Sequence, residues 1–145
     1  MKNPALILAL AALFAAGCSQ MSEMMHGDKA GGENVSLNGS SEVPAVTSGA
    51  SGSGTVTVAA DCSVTAKVTV TGMTATASHI HQGAKGANGP VIVPFVKEGD
   101  NTFVAPPGAK MTEEQCKAYK AGNTYVNVHS AKNPGGEVRA QLKGS

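Results

Sequence analysis

The chain has four histidines among 145 residues, and three of them sit in patterns that bear on chemistry. His79 and His81 flank a single isoleucine, and His129 closes the alternating stretch TYVNVHS (124–130). In an extended strand, residues i and i+2 point to the same side, with Cα atoms roughly 6.5–7 Å apart. Ile80 is therefore expected to face the core, while His79 and His81 project together on the opposite face. Two imidazoles at that separation can meet one ion at ordinary nitrogen–metal distances of about 2 Å. The same parity puts Val126 and Val128 on one side of the later strand and Tyr125, Asn127 and His129 on the other. Neutral imidazoles suit copper, zinc, iron or nickel, and the lack of an adjacent Asp or Glu argues against calcium or magnesium. The expectation is one transition-metal ion held by His79, His81 and His129, with copper favoured and zinc or iron the alternatives. Three imidazoles with an open coordination position suit metal holding or one-electron chemistry, whose enzymatic form would be superoxide dismutation. A polar strand face would look the same, with His79 or His81 capping the next turn and His129 bonded to backbone. On that account the domain is a non-enzymatic envelope module, whose histidine strand and glycine loop meet a protein or glycan.

The elements that must position these histidines read as nearly all strand. GTVTVAA (54–60) and SVTAKVTVTG (63–72) alternate with a period of two and are joined by a short link, a hairpin signal. PVIVPFV (90–96) is a more continuous apolar run, in which Pro94 hints at an edge or a bulge. The strand ending in His129 joins GEVRAQLKG (136–144) through the turn AKNPGG. Short strands at this spacing predict an all-β fold, a Greek-key β-sandwich or barrel. One short helix, at about 113–121, interrupts it. Thr112 is its N-cap, Gln115 completes a capping box, Glu113 and Glu114 favour the positive dipole end, and Gly122 is the stop.

The N-terminus reads as a targeting signal. Lys2 precedes the apolar run Ala5 to Ala16, which is shorter than the about 20 residues a membrane span needs. It ends in Ala15-Ala16-Gly17-Cys18, which resembles a bacterial lipobox with Cys18 as the lipidated residue. Residues 1–17 are thus expected to be a lipoprotein signal peptide, and 18–34 a lipidated, flexible stalk. Residues 35–145 form the single remaining domain. Ser19 after the cysteine favours the outer membrane by the usual bacterial sorting rule. The expected location is the bacterial cell envelope, with the lipid on Cys18 tethering the domain to a membrane. With Cys18 consumed, Cys62 and Cys116 remain, and in an oxidising compartment they are expected to form a disulfide, with buried thiols or a thiolate ligand as alternatives. Removal of Lys2 leaves 10 basic against 10 acidic residues, with Arg139 the sole arginine and no tryptophan. That composition excludes a nucleic-acid partner, which would need a basic, aromatic-bearing surface. The stalk segment MSEMMH adds three thioethers and an imidazole, soft ligands that suit Cu(I).

Three separated segments, SLNGSSEVPAV, ASHIHQGAKGANGPVIVPF and GNTYVNVHSAKNPGGEVRAQL, resemble the beginning, middle and end of a CHRD domain, in that order. The resemblance covers about residues 35 to 143. It implies an all-β fold and secretion, and in chordin such domains belong to an extracellular protein that binds growth factors. This chain departs mildly from the family pattern at Ala45, where a second proline is typical, and at Ala140, where glycine is typical. The His-Ile-His stretch followed by glycine turns is also similar in site logic to copper-zinc superoxide dismutase. There is no bridging-histidine array and no zinc subsite with an aspartate, so such a site would hold a single ion. Glu42, Arg139 and Tyr125 are the candidate supporting residues. Arg139 either pairs with Glu42 or Glu137, or guides anions to the metal while Glu42 supports a histidine.

Overall fold

The computed structural model describes residues 31–144, so the signal segment, Cys18 and most of the stalk lie outside the described residues. The described residues form nine strands: β1 (Glu33–Asn38), β2 (Ser51–Val58), β3 (Val64–Thr71), β4 (Ala75–Gln82), β5 (Val91–Pro94), β6 (Val96–Gly99), β7 (Thr102–Val104), β8 (Thr124–Ser130) and β9 (Val138–Leu142). One helix, α1 (Glu113–Lys120), stands between β7 and β8. All strands join one antiparallel sheet in the order β5-β4-β8-β9-β1-β2-β3-β7-β6. The sheet curls into a nearly closed barrel, as the all-β expectation required. Its ends, β5 and β6, are consecutive strands joined through Phe95, whose N–H donates to Ser78 O on β4 at 3.0 Å.

Alternation builds the core. Val56 and Val58 on β2, Val64, Val68 and Val70 on β3, and Ile80 on β4 are all buried. Val126 and Val128 join them from β8, and Val138 and Leu142 from β9. At about 25 cal/mol per Å² of apolar surface, these inward valines supply most of the drive that closes the barrel. β2 and β3 pair in register from Ser51↔Thr71 to Val58↔Val64, as their matched periods dictate. β1 starts at Glu33, two residues inside the segment read as stalk, because Glu33 and Asn34 pair with Val56 and Thr55.

The helix carries the expected capping box. The Thr112 side chain accepts from Gln115 N at 3.2 Å, and Gln115 returns a bond to Thr112 N at 2.9 Å. Gly122 follows at φ 76°, the left-handed residue that ends the helix. The sulfurs of Cys62 and Cys116 are paired, with Cα atoms 5.8 Å apart, so α1 is tied to the β2–β3 turn. Among the described residues, no helix is long and apolar enough to cross a membrane.

The candidate site lies where β4, β8 and β9 run side by side, and their register sets its rows. His79 pairs with Asn127, and Asn127 pairs with Arg139. In the next row His81 pairs with Tyr125, and Tyr125 with Gln141. His129 lies opposite Ala77. These residues all point away from the barrel interior.

Candidate metal centre

Strand parity places His79, His81 and His129 on this outward face, and the structure brings all three together. One ring nitrogen from each lies within 4.8 Å of the others. His79 Nδ1 and His129 Nε2 are 3.0 Å apart, and the His79 and His81 ring centroids are 5.5 Å apart.

The face is not the solvated strand surface that an alternating pattern usually implies. Tyr125, Asn127 and Arg139 are all buried, and His81 is only 8% exposed, while His79 and His129 stay partly open. The glycine-rich loop 83–90 folds back to cover them. Arg139 Nη1 donates to Ala87 O at 3.0 Å, and Gln141 Nε2 donates to Gly83 O at 3.0 Å. Gly89 lies so close to the strand that a Cβ there would overlap Gln82 O. Gly89 is thus a condition of cover at the site.

Two backbone carbonyls decide which nitrogens are available. A carbonyl only accepts, so His81 Nδ1 must donate to Gly89 O at 2.9 Å, and His129 Nδ1 to Pro134 O at 2.9 Å. Each Nε2 is then left with a lone pair. His81 Nε2 is buried and has no hydrogen-bond partner. His129 Nε2 meets His79 Nδ1, which must supply the proton between them. The turn and backbone contacts considered from the sequence are therefore present, yet they leave the Nε2 lone pairs of His81 and His129 turned toward the cluster, that of His81 without a partner. Backbone carbonyls orient imidazoles in this way around bound metals. Burial, then the neighbouring His129 and His81, pushes His79 down to about 4. Burial also lowers His81 below its ordinary range, partly offset by its bond to Gly89.

Tyr125 stacks on His81, with centroids 4.8 Å apart and planes 4° from parallel. Its hydroxyl accepts from Gly89 N at 3.1 Å, so ring and loop hold His81 from two directions. The Arg139 guanidinium lies over Tyr125, 3.7 Å from the ring centroid. Arg139 Nε pairs with Glu42 Oε2 at 3.0 Å, with both side chains almost fully buried. The ion pair is thus with Glu42. Arg139 lies beneath the loop, 2% exposed, whereas an anion guide would stand at the mouth of the site. Burial raises the Glu42 carboxyl above its ordinary range, against the opposing pull of Arg139. Glu137 turns elsewhere, accepting from Ser48 Oγ at 2.7 Å and from Ser130 Oγ.

Sequence reasoning did not single out Gly89 and Pro134, whose carbonyls fix the tautomers, because backbone acceptors have no side-chain signature. Asn88, an acceptor for Arg139 Nη2, was likewise missed. Asn127 was visible by parity alone.

A small antiparallel barrel with three imidazoles converging on a covered outer face defines an all-β domain with a candidate metal centre. The chain belongs to the CHRD domain family, whose model matches residues 34–142. No curated protein and no solved structure matches it.

Proposed function

We propose that this CHRD domain holds one transition-metal ion, copper favoured over zinc or iron, through His81 Nε2, His129 Nε2 and His79 Nδ1, the last once the proton of its neutral ring has moved to Nε2. The observation that carries the reading is the pair of carbonyl-fixed tautomers, which turn two lone pairs inward on a buried face. Neutral rings are the ligating form, and the lowered pKa values of His79 and His81 keep both neutral at pH 7. Copper, when bound, supplies one-electron redox chemistry, of which superoxide dismutation is the enzymatic form. The protein's part is to orient the imidazoles, exclude water behind the loop, and leave His79 and His129 partly open for approach. The chain is further proposed to be an envelope lipoprotein anchored through Cys18, a reading that rests on the lipobox-like sequence alone.

Metal analysis of the purified protein after loading with Cu(II), Zn(II) or Fe, beside a His79/His81/His129 triple alanine variant, tests the site. About one ion per wild-type chain and none in the variant is expected; equal content sinks the reading. Superoxide removal compared with free copper then separates an enzyme from a metal store. A second reading, a non-enzymatic protein-binding module, draws on Val91 and Val96, each 46% exposed on the terminal strands of the sheet. Chelation that leaves thermal stability unchanged would favour it.

A further inference from the structure

The row His79–Asn127–Arg139 places an asparagine at the centre of the outward face, between a candidate ligand and the buried ion pair. Asn127 is 1% exposed, and both atoms of its carboxamide lack a hydrogen-bond partner. Its backbone carbonyl, by contrast, is engaged by Ser78 Oγ at 2.9 Å, so the strand itself is fixed. A buried amide with two unmet groups forfeits its hydration without replacement and is costly. Such a group calls for a local explanation.

Its surroundings supply one. Glu42 Oε1 is also buried and without a partner. Glu42 Oε1 and Asn127 Nδ2 face the same point, since a Cβ on Gly136 would collide with both. Nδ2, the donor, therefore turns toward the carboxylate, and Oδ1, on the other side of the amide, is left for the side of His81. The amide adjoins His81 as well as Glu42, without reaching hydrogen-bond geometry with either. His81 Nε2 carries a lone pair because its Nδ1–H is committed to Gly89 O. Two acceptors that face one another in a buried place repel, and a cation between them turns the repulsion into attraction.

We propose that Asn127 Oδ1 is the fourth ligand of the ion, giving an N3O site that prefers a divalent ion over Cu(I). The inference rests on the three-histidine reading and extends it. Glu42 is then a positioning residue that holds Nδ2, and Arg139 holds Glu42 in turn. An amide oxygen is a hard donor, whereas Cu(I) favours soft sulfur. The fourth ligand thus selects Cu(II) or Zn(II) for the resting site.

The test uses Asn127→Ala and the nearly isosteric Asn127→Leu, with Cu(II) and Cu(I) affinities measured by competition against chromophoric chelators. Cu(II) affinity is expected to fall by at least about 10-fold in both variants, the scale of losing a group that supports a metal site. Cu(I) affinity should change by less than about 3-fold, since an amide oxygen adds little to a soft ion. Equal losses for the two oxidation states, or no loss for either, overturn the proposal while leaving the three-histidine reading standing. A wild-type protein that binds neither ion overturns the three-histidine reading itself. Should both variants fail to fold, a crystal of the wild type loaded with Zn(II) decides. Oδ1 at about 2.0–2.2 Å from zinc upholds the assignment, and Oδ1 beyond about 3 Å overturns it.

Discussion

Arg139→Met tests whether the buried ion pair organises the outward face. The substitution keeps an unbranched side chain but removes four contacts. They are the bond to Glu42 Oε2 at 3.0 Å, the bonds to Ala87 O and Asn88 Oδ1, and the cation over the Tyr125 ring. The Arg139 and Glu42 side chains are 3% and 2% exposed, so water cannot replace the lost partner without opening the loop. Breaking such a pair leaves an uncompensated buried charge and costs about 3–5 kcal/mol. A domain of this size holds about 5–15 kcal/mol in total, so the loss is about a fifth of its stability or more. Urea unfolding followed by far-UV circular dichroism reads it directly. Glu42→Gln is the second arm, and the Glu42→Gln/Arg139→Met double variant closes the cycle. The double variant should recover about 2 kcal/mol relative to the sum of the singles, because neither charge is then stranded. Lys67→Ala is the contrast: its pair with Glu98 is 62% and 50% exposed, and its loss should cost less than about 1 kcal/mol. A cost below about 1 kcal/mol for Arg139→Met, or strict additivity in the cycle, refutes the idea that this pair holds the face.

Other perturbations test neighbouring parts of the argument. Replacing both Cys62 and Cys116 with serine opens a loop of sequence separation 54 and should cost about 4 kcal/mol on the chain-entropy model, read by urea unfolding. Gly136→Ala should cost about 2 kcal/mol or more, since Gly136 has φ 124° and its new Cβ would strike Glu42 and Asn127. Glu137 is held below its ordinary range, first by the Ser130 hydroxyl and then by Ser48. A depressed carboxyl stabilises the fold above the unfolded value, 4.5, and that contribution is lost as pH falls through the folded value. Glu137→Gln should therefore lower the melting temperature at pH 7, with the gap to wild type narrowing as the pH drops below 4.5.

Much of the barrel was legible because its signals are local. Alternating valines fixed the inward faces of β2, β3 and β8, and the capping box fixed the start of α1. With Cys18 set apart, counting left one cysteine pair, which the structure joins. Parity also put His79, His81 and His129 on faces that turned out to be one face. The cover over that face was not legible, because it depends on contacts distant in sequence. Arg139 reaches Ala87 across 52 positions, and Glu42 across 97. Charge alone offered Arg139 two partners, Glu42 and Glu137. The choice came from register, which sets Arg139 beside Asn127 and sends Glu137 to Ser48 and Ser130. The start of β1 at Glu33 escaped notice for the same reason, since a polar Glu-Asn pair becomes strand only when Val56 and Thr55 lie opposite.

The energetics of the face bear on the choice between metal site and docking module. His81 Nε2, Glu42 Oε1 and the two amide atoms of Asn127 are four buried polar atoms without partners. At about 1–3 kcal/mol each, their combined cost approaches the whole stability of a small domain. A module that only presented a surface would be better served by apolar side chains here. An ion that engages the lone pairs offsets the cost, and by mass action it must then stabilise the folded state. At a free ion concentration about 1,000 times the dissociation constant, the gain is about 4 kcal/mol. Thermal unfolding with and without a chelator should therefore differ by tens of degrees or close to it, given about 4–8 °C per kcal/mol for a domain near this size. The His79/His81/His129 triple alanine variant should show no such difference. If the wild type is equally indifferent to metal and chelator, the four atoms are satisfied in some other way, and the docking reading takes precedence.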